Sequence, residues 1–391
     1  MKSNAAEESW IIQLDHDGRN MAFDSNNCIY IAGWSNLIKY NTSGIQLWNK
    51  GLNGILDEPI IKTDSTNNVY LAGYYENQTL SWNWTIFKFN SMGDLLWQKV
   101  FGQVNIRFIT DFAVDLEDHV YIYGLLTSDN LFVIKFNKTG SQLWFHEFEA
   151  IGLFDESSNI LIDSNYNIII SGSSLVDIIN YTSIDWVRSY NGSRDLQWSI
   201  TYDCTSFPIL ELDSLNNVIS IASTCYELDL IKYDNFGNSV WNYSLKSQFL
   251  NMMAYHGPAP TMKHLYHLTL DSSDNIYIGW DIAIPDDIYT SDVLLIKINS
   301  SGSFKWYLTW GGPNDDYLGK IGADFDSNIY ILTGNCLIKN PVNNNKSLVG
   351  ANLWNFYFIL FGISCFVSLI SLYFIIRPKI RRKFSKSTNQ K

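Results

Sequence analysis

The sequence is short of cysteine, of charge and of any recognisable catalytic string. Five cysteines stand in 391 residues. Cys365 lies in an apolar run, and Cys28, Cys204, Cys225 and Cys336 leave two disulfides open, Cys28 with Cys336 and Cys204 with Cys225, which spacing alone does not establish. Charged residues make up only 17% against 15% aromatics; with Asn, Ser and Gly abundant, this balance suits many short strands joined by tight turns. No nucleophile elbow and no Ser, His and Asp arrangement can be read. Acid is missing from one end altogether. All 39 acidic residues precede Leu353, whereas seven of the 27 basic ones follow Ile376. The body therefore carries 20 − 39 = −19 and the tail +7. An acidic body repels phosphate backbones, which argues against a nucleic-acid partner.

Between body and tail runs LWNFYFILFGISCFVSLISLYFII, residues 353–376, without a charge. As a helix it would extend about 36 Å, enough to cross a hydrocarbon core of about 30 Å with some tilt. Trp354, Tyr357 and Tyr373 stand near its ends, where amphipathic rings favour the interface. The basic tail, 377–391, places that end in the cytoplasm and the body outside, a single-pass arrangement at the cell membrane. An outside body calls for an export signal. The opening MKSNAAEESW has no apolar core, so the expectation is that a signal has been lost from this chain, the alternative being tail-first insertion with the body facing the cytosol.

The body repeats. NTSGIQLW (Asn41 to Trp48), NSMGDLLW (Asn90 to Trp97), NKTGSQLW (Asn137 to Trp144), DNFGNSVW (Asp234 to Trp241) and NSSGSFKW (Asn299 to Trp306) share one spacing of Asn or Asp, Gly and Trp. A sixth copy, NGSRDLQW (Asn191 to Trp198), has its glycine displaced to Gly192. A second frame precedes each of these and opens on an Asp followed by an apolar strand. Its copies begin at Asp24, Asp64, Asp115, Asp163, Asp213, Asp271 and Asp324, with spacings of 40, 51, 48, 50, 58 and 53. Such a period fits a propeller blade, and each unit reads as two β-hairpins with Asn, Asp and Gly at the turns. The seventh unit ends at CLIKN without a Trp-bearing strand, while the chain opens with SWIIQLD and its Trp10. The orphan strand matches the missing one. The expected fold is an all-β, seven-bladed propeller over residues 1–340, closed by the N-terminal strand, then a linker at 341–352 and the transmembrane helix.

These motifs resemble the SBBP-type β-propeller repeat family and, more distantly, the tryptophan-docked blades of quinoprotein-like propellers, over about residues 9–340. The resemblance implies a structural repeat of extracellular and surface proteins, mostly without an assigned activity. Quinone chemistry has no support, because the resemblance would call for an adjacent cysteine pair and none exists. No cofactor is expected.

A basic residue recurs in the third strand of every unit: Lys39, Lys88, Lys135, Arg188, Lys232, Lys297 and Lys339. A charge repeated sevenfold needs a repeated partner, and the frame Asp residues are the candidates for a structural pairing. The tryptophans Trp10, Trp48, Trp97, Trp144, Trp198, Trp241 and Trp306 read as blade-to-blade packing. The Asp turns lack the full oxygen set of a calcium loop. His256, His264 and His267 cluster, but the last two are three residues apart on a strand and face opposite ways, so no metal is expected. Nine sequons occur, at Asn41, Asn77, Asn83, Asn137, Asn180, Asn191, Asn242, Asn299 and Asn345. Several fall on turns where a glycan fits, which favours an exported body.

Insertions concentrate in the connections from second to third strand (Tyr75 to Trp84, Ser173 to Asp185, Asp281 to Asp292) and from fourth to first (Ser247 to Lys263). In a propeller both emerge on one face. That face is the expected binding surface, with Trp82, Trp84, Tyr181, Tyr255, His256 and Tyr289 as its aromatic and imidazole candidates. The function expected is a cell-surface recognition, adhesion or scaffold module with a protein or glycan partner. The alternative is a surface enzyme, a lyase or hydrolase, with its site near the central channel.

Overall fold

The computed structural model describes residues 9–340 apart from 16, 77–80, 102–104, 149–150, 153, 178–181, 203–207, 225–226, 246–266, 285–286 and 311–317. Its 28 strands fall into seven four-stranded sheets. The ring opens on β1 (Trp10–Gln13), which belongs to the last blade. Blade 1 is β2 (Gly18–Phe23), β3 (Ile29–Gly33), β4 (Asn36–Tyr40) and β5 (Gln46–Gly51). Blade 2 is β6 (Ile55–Thr63), β7 (Val69–Glu76), β8 (Trp82–Phe89) and β9 (Leu95–Val100); blade 3 is β10 (Ile106–Val114), β11 (Val120–Leu126), β12 (Leu131–Phe136) and β13 (Gln142–Phe148). Blade 4 is β14 (Phe154–Ile162), β15 (Ile168–Asp177), β16 (Thr182–Tyr190) and β17 (Leu196–Tyr202); blade 5 is β18 (Ile209–Leu212), β19 (Val218–Thr224), β20 (Glu227–Tyr233) and β21 (Ser239–Ser244). Blade 6 is β22 (His267–Leu270), β23 (Ile276–Ile284), β24 (Asp287–Ile298) and β25 (Phe304–Trp310); blade 7 takes β26 (Leu318–Ala323), β27 (Ile329–Thr333) and β28 (Cys336–Asn340). All described residues except Trp306–Leu308 lie in one compact unit.

Strands within a blade are called a to d from the inside outward. The a strands touch in a closed circuit, β2 to β6, β10, β14, β18, β22, β26 and back to β2. Seventh-blade closure follows the sequence expectation. β1 pairs antiparallel with β28, Trp10 opposite Lys339 and Gln13 opposite Cys336, so the first strand of the chain is the d strand of the last blade.

Two repeated devices make each blade. At the a–b turn the frame Asp accepts backbone N–H groups from residues two and four positions on, as Asp64 Oδ1 does from Thr66 and Asn68 at 3.0 and 2.9 Å. The residue three positions after the Asp is left-handed in all seven turns: Asn27, Asn67, Asp118, Tyr166, Asn216, Asp274 and Ser327. Asn and Asp tolerate that region best among residues with a side chain. Inside the blade the frame Asp meets the strand-c lysine. Five such ion pairs lie between 2.6 and 3.6 Å: Asp24–Lys39, Asp64–Lys88, Asp115–Lys135, Asp213–Lys232 and Asp271–Lys297. A buried tyrosine six residues after the Asp completes the set. Tyr30, Tyr70, Tyr121, Tyr277 and Tyr330 each donate to the Asp Oδ2 at 3.0 to 3.3 Å. The first four also accept from the lysine. In blade 4 the arginine turns aside, and Arg188 donates to Tyr190 at 3.4 Å.

The second device joins blades. The strand-d tryptophan donates its indole N–H to a carbonyl in the c–d turn of the next blade: Trp10 to Thr42, Trp48 to Ser91, Trp97 to Lys138 and Trp198 to Asn235, at 3.1 to 3.2 Å. The turn glycine lies on the indole. A Cβ on Gly237 would meet Trp198 Cγ at 2.9 Å, and its φ is +82°, so glycine is required twice over. The degenerate copy departs in an informative way. Gly192 does not take this place; Arg194 does, at φ +73°, with its guanidinium 5.2 Å from the centre of the Trp144 ring.

Two sequence readings are corrected here. The b–c connections are largely strand: β7 and β8 leave only 77–81 between them, β15 and β16 only 178–181, and β23 and β24 only 285–286. Polar residues such as Ser173, Ser174 and Thr85 interrupt the apolar pattern without interrupting the backbone ladder. Cys28 and Cys336 are not joined by a disulfide, and Cys336 Sγ donates to Gln13 Oε1 at 3.3 Å. Cys28 follows an a–b turn and Cys336 opens strand c after a b–c turn, at opposite ends of the strands. Cys204 and Cys225 lie outside the described residues, as do the linker 341–352, the apolar run 353–376 with Cys365, and the tail 377–391. Among the described residues no helix is long and apolar enough to cross a membrane.

Candidate functional site

Strand a is the innermost strand of each blade, and its two faces turn to the blades on either side. Three residues before each frame Asp stand Met21, Ile61, Phe112, Ile160, Leu210, Leu268 and Ile321, all buried between blades. With a period of two, the residues on either side of them lie on the opposite face of the strand, where Ala22, Ile60, Ala113 and Leu161 pack toward the next blade. One ring of the innermost strands on that face is therefore Asn20, Ile60, Asp111, Asn159, Ile209, His267 and Lys320, and the next is Ala22, Lys62, Ala113, Leu161, Glu211, Thr269 and Gly322. The Asp, Lys, Tyr and Trp positions of the frame repeat around the ring because they build it. These innermost positions do not repeat. Titratable groups appear once each, from five different blades: Lys62, Asp111, Glu211, His267 and Lys320.

Their electrostatics are coupled. Lys62 Nζ lies 3.8 Å from Asp111 Oδ1, and 40% of its side-chain surface remains accessible. The innermost strands of the other blades crowd it nonetheless, so burial still acts on the ammonium. Asp111 holds the Lys62 ammonium above the usual amine range against the opposite pull of burial. Asp111 Oδ2 also accepts from Asn159 Nδ2 and the Ile160 N–H, each at 3.3 Å, tying blade 3 to blade 4. Burial raises the Glu211 carboxyl although Lys62 and Lys320 pull it down. Burial and then Lys62 lower Lys320. His267 is pushed well below the ordinary imidazole range by burial and by Lys320, which makes it a neutral ring. Its Nε2 is buried without a hydrogen-bond partner. The sequence reading missed this group because each member is a single departure in an otherwise apolar strand. Counting back four and two from every frame Asp finds it.

On the face bearing the b–c and d–a connections, Trp82 is half-buried and stacks on the exposed Tyr74, ring centres 5.2 Å apart at 25°. Trp84 is not an exposed aromatic. It is 7% accessible, packs between blades 2 and 3 and donates to Arg107 O at 3.2 Å, because its position in β8 alternates inward. Tyr181, Tyr255, His256 and His264 lie outside the described residues, and Tyr289 falls within β24 with its side chain likewise outside them. The sequence reading missed Trp34, 40% exposed in the tight b–c turn of blade 1. A tryptophan there has no counterpart in the other blades.

Among the described residues no three His, Cys, Asp or Glu side chains are placed to hold a metal ion. Four sequon asparagines, Asn41, Asn137, Asn191 and Asn299, open c–d turns, and their Oδ1 atoms accept the turn N–H groups at 2.7 to 3.1 Å. Asn242 is exposed on β21 and Asn83 half-buried on β8. Asn77, Asn180 and Asn345 lie outside the described residues.

No family model matches the chain, and no curated protein does. Solved structures do. A structure described as streptogramin B lyase aligns over 86% of this chain and 99% of its own, with a TM-score of 0.56 at 10% identity. A structure described as the Dos1 propeller aligns over 86% and 95%, with a TM-score of 0.51 at 10% identity. At such identity the likeness is one of fold, and the fold that this chain shares with both is the β-propeller.

Proposed function

We propose that this protein is a recognition, adhesion or scaffold module that offers the loop-bearing face of its propeller to a protein or glycan partner. In this reading residues 353–376 anchor it to the cell membrane, the propeller stands outside with glycans on its exposed sequons, and the repeat is of the SBBP type. One observation carries the proposal: the two faces are built differently. On the turn face, the seven a–b turns are hydrogen-bonded to one another around the ring, as Asn67 Oδ1 accepts from Ser25 N and Asp118 Oδ1 from Ser65 N. On the other face Trp34 and Tyr74 remain 40% and 39% exposed and carry a polar edge, which the exposed Phe236 and Phe325 of the turn face lack. Exposed aromatics with one apolar body and one polar edge are the usual anchors of interfaces. The test is capture from surface extracts by the full chain, with a Tyr74→Ser, Trp82→Ser variant beside it. Partners retained by the native chain and lost by the variant are the expected result; identical capture by both would remove the aromatic face from the argument.

A specific observation favours the second reading, a surface lyase or hydrolase. Glu211, Lys320 and the unpartnered Nε2 of His267 lie together among the innermost strands. Perturbed acids and bases gathered in one cavity are the ordinary setting for proton transfer. Turnover of a glycan or lipid that disappears in Glu211→Gln while partner capture persists would transfer the function to the channel.

A further inference from the structure

Between blades 1 and 2, on the loop-bearing face, lies a cleft of about 150 Å³ lined by Arg19, Trp34, Leu56, Asp57, Glu58 and Pro59. Its walls are fixed from below. Trp34 donates its indole N–H to Asp17 Oδ2 at 2.8 Å, and the same carboxylate holds Arg19 at 2.7 Å. The Arg19 guanidinium lies 4.5 Å from the centre of the Trp34 ring. Leu56 N–H of blade 2 donates to Trp34 O at 2.6 Å and Asn20 Nδ2 of blade 1 donates to Pro59 O at 3.1 Å, so the two blades are joined on both sides of the cleft. Between those ties β6 bulges, its register breaking from Asp57 to Ile60.

The bulge puts Glu58 at φ +47°, a region that a glutamate occupies only at a cost. Asp57 Oδ1 accepts the Glu58 N–H at 3.0 Å and holds that conformation. Glu58 is exposed and lines the cleft. Such an arrangement combines an exposed indole, two carboxylates and a guanidinium around a space smaller than the about 300 Å³ that a drug-sized ligand fills. A space of that size limits an occupant to about one sugar ring.

We propose that this cleft binds a single neutral hexopyranose, a terminal residue of a glycan, with its C–H face against the part of the Trp34 indole that the Arg19 guanidinium leaves open. The carboxylates of Asp57 and Glu58 accept hydroxyl protons and the Arg19 guanidinium donates to hydroxyl oxygens. Both halves of a hydroxyl's bonding capacity are thereby met. Two carboxylates against one guanidinium repel uronic and sialic acids, which sets the specificity toward neutral sugars. The proposal rests on the recognition reading and chooses the glycan over the protein partner.

The test uses the full chain in a non-glycosidic detergent, titrated calorimetrically with neutral oligosaccharides, with sialylated ones and with a lysine-rich peptide. Expected are binding of a neutral sugar, a loss of about tenfold or more in affinity in Trp34→Ala, and partial recovery in Trp34→Phe. Glu58→Gly is the decisive variant. Glycine relieves the positive φ, so its melting temperature should rise while its affinity for the sugar falls, a combination that damage to the fold cannot produce. Neutral-sugar affinity unchanged in both Trp34→Ala and Glu58→Gly overturns the cleft and leaves recognition elsewhere on the face intact. Preference for the sialylated sugar or for the peptide overturns the ligand class. No binding of any sugar overturns the proposal, and if surface capture is also negative the recognition reading falls with it.

Discussion

Lys88 is 4% accessible and lies 2.9 Å from Asp64 Oδ2, with Tyr70 bonded to both. Replacing it by Met would leave a carboxylate and a phenol inside the blade without their cation. The expected loss is about 3 kcal/mol, measured by chemical denaturation, because an uncompensated buried charge is what makes breaking such a pair expensive. The double variant Lys88→Met, Asp64→Asn should recover part of it. These pairs also set the acid limit. Burial pushes the Asp64 carboxyl up, but bonds from Asn68 and Lys88 prevail and hold it below 3.8; bonds from His119 and Glu117 do the same for Asp115, and bonds from Lys232 and Asn217 for Asp213. A carboxyl lowered in the folded state stabilises fully above its unfolded pKa and stops doing so as pH falls through the folded one. Stability owed to these groups should therefore hold down to about pH 4 and fall below it. A denaturation series over pH checks this, with the acid limb shallower in the double variant. The Asp and the Lys of this set were legible in the sequence as a sevenfold coincidence. The tyrosine was not, although YIAG, YLAG, YIYG, YIGW and YILT stand in the same frames. An aromatic in a strand is so ordinary a choice that its role as the bridge between Asp and Lys shows only in three dimensions.

At the scale of the hairpin, the c–d turn and the tryptophan of the preceding blade are one unit. Gly237→Ala faces a positive φ and a Cβ 2.9 Å from Trp198 Cγ. The left-handed conformation alone costs about 1–2 kcal/mol for an alanine, so a loss of about 2 kcal/mol or more is expected in thermal unfolding. The equivalent of this glycine in blade 4 is Arg194, which bears the conformational cost but returns a cation over the Trp144 ring. A cation–π contact is worth about 0.5–1 kcal/mol at an exposed site, comparable with the strain it offsets. Arg194→Gly should accordingly move the melting temperature far less than Gly237→Ala does. The repeat was legible because glycine and tryptophan at fixed spacing have few alternative explanations. The displaced copy was misread through Gly192, since sequence shows which residues are glycine but not which position needs to be left-handed. Strand lengths were underestimated for a related reason. The hairpin arms at Tyr75–Trp84 and Ser173–Asp185 carry polar residues, Ser173, Ser174 and Asp185 among them buried, and the ladder of backbone hydrogen bonds continues there without an apolar pattern to announce it.

For the whole ring, closure is the property that no single blade possesses. β1 supplies the outer strand of blade 7, and its Trp10 reaches forward to Thr42 O in blade 1 while lying 5.9 Å from the Tyr330 ring. Leu14, Met21, Ile29, Tyr330 and Leu332 form one buried cluster across the same junction. The sequence disclosed this junction through two incomplete units that complete each other, whereas the channel group stayed hidden because it obeys no repeat. The turn face is closed too. Asn27 Nδ2 donates to Asp326 Oδ2 at 2.6 Å and Phe325 N–H donates to Asn27 Oδ1 at 2.9 Å, which links the last a–b turn to the first. A closed ring shares a local loss among all its interfaces, since no blade can leave without breaking two. Removing residues 1–13 should thus do more than delete four strand residues. It strips the cover from β28, leaves an exposed edge that invites intermolecular pairing, and opens the circuit at one interface. Calorimetry should show the native ring melting in one transition and the truncated chain melting lower and over a broader range. Light scattering should show aggregation setting in below that transition. A truncated chain that melts at the native temperature would mean that the seventh blade is held without its outer strand, and that the ring derives its stability blade by blade.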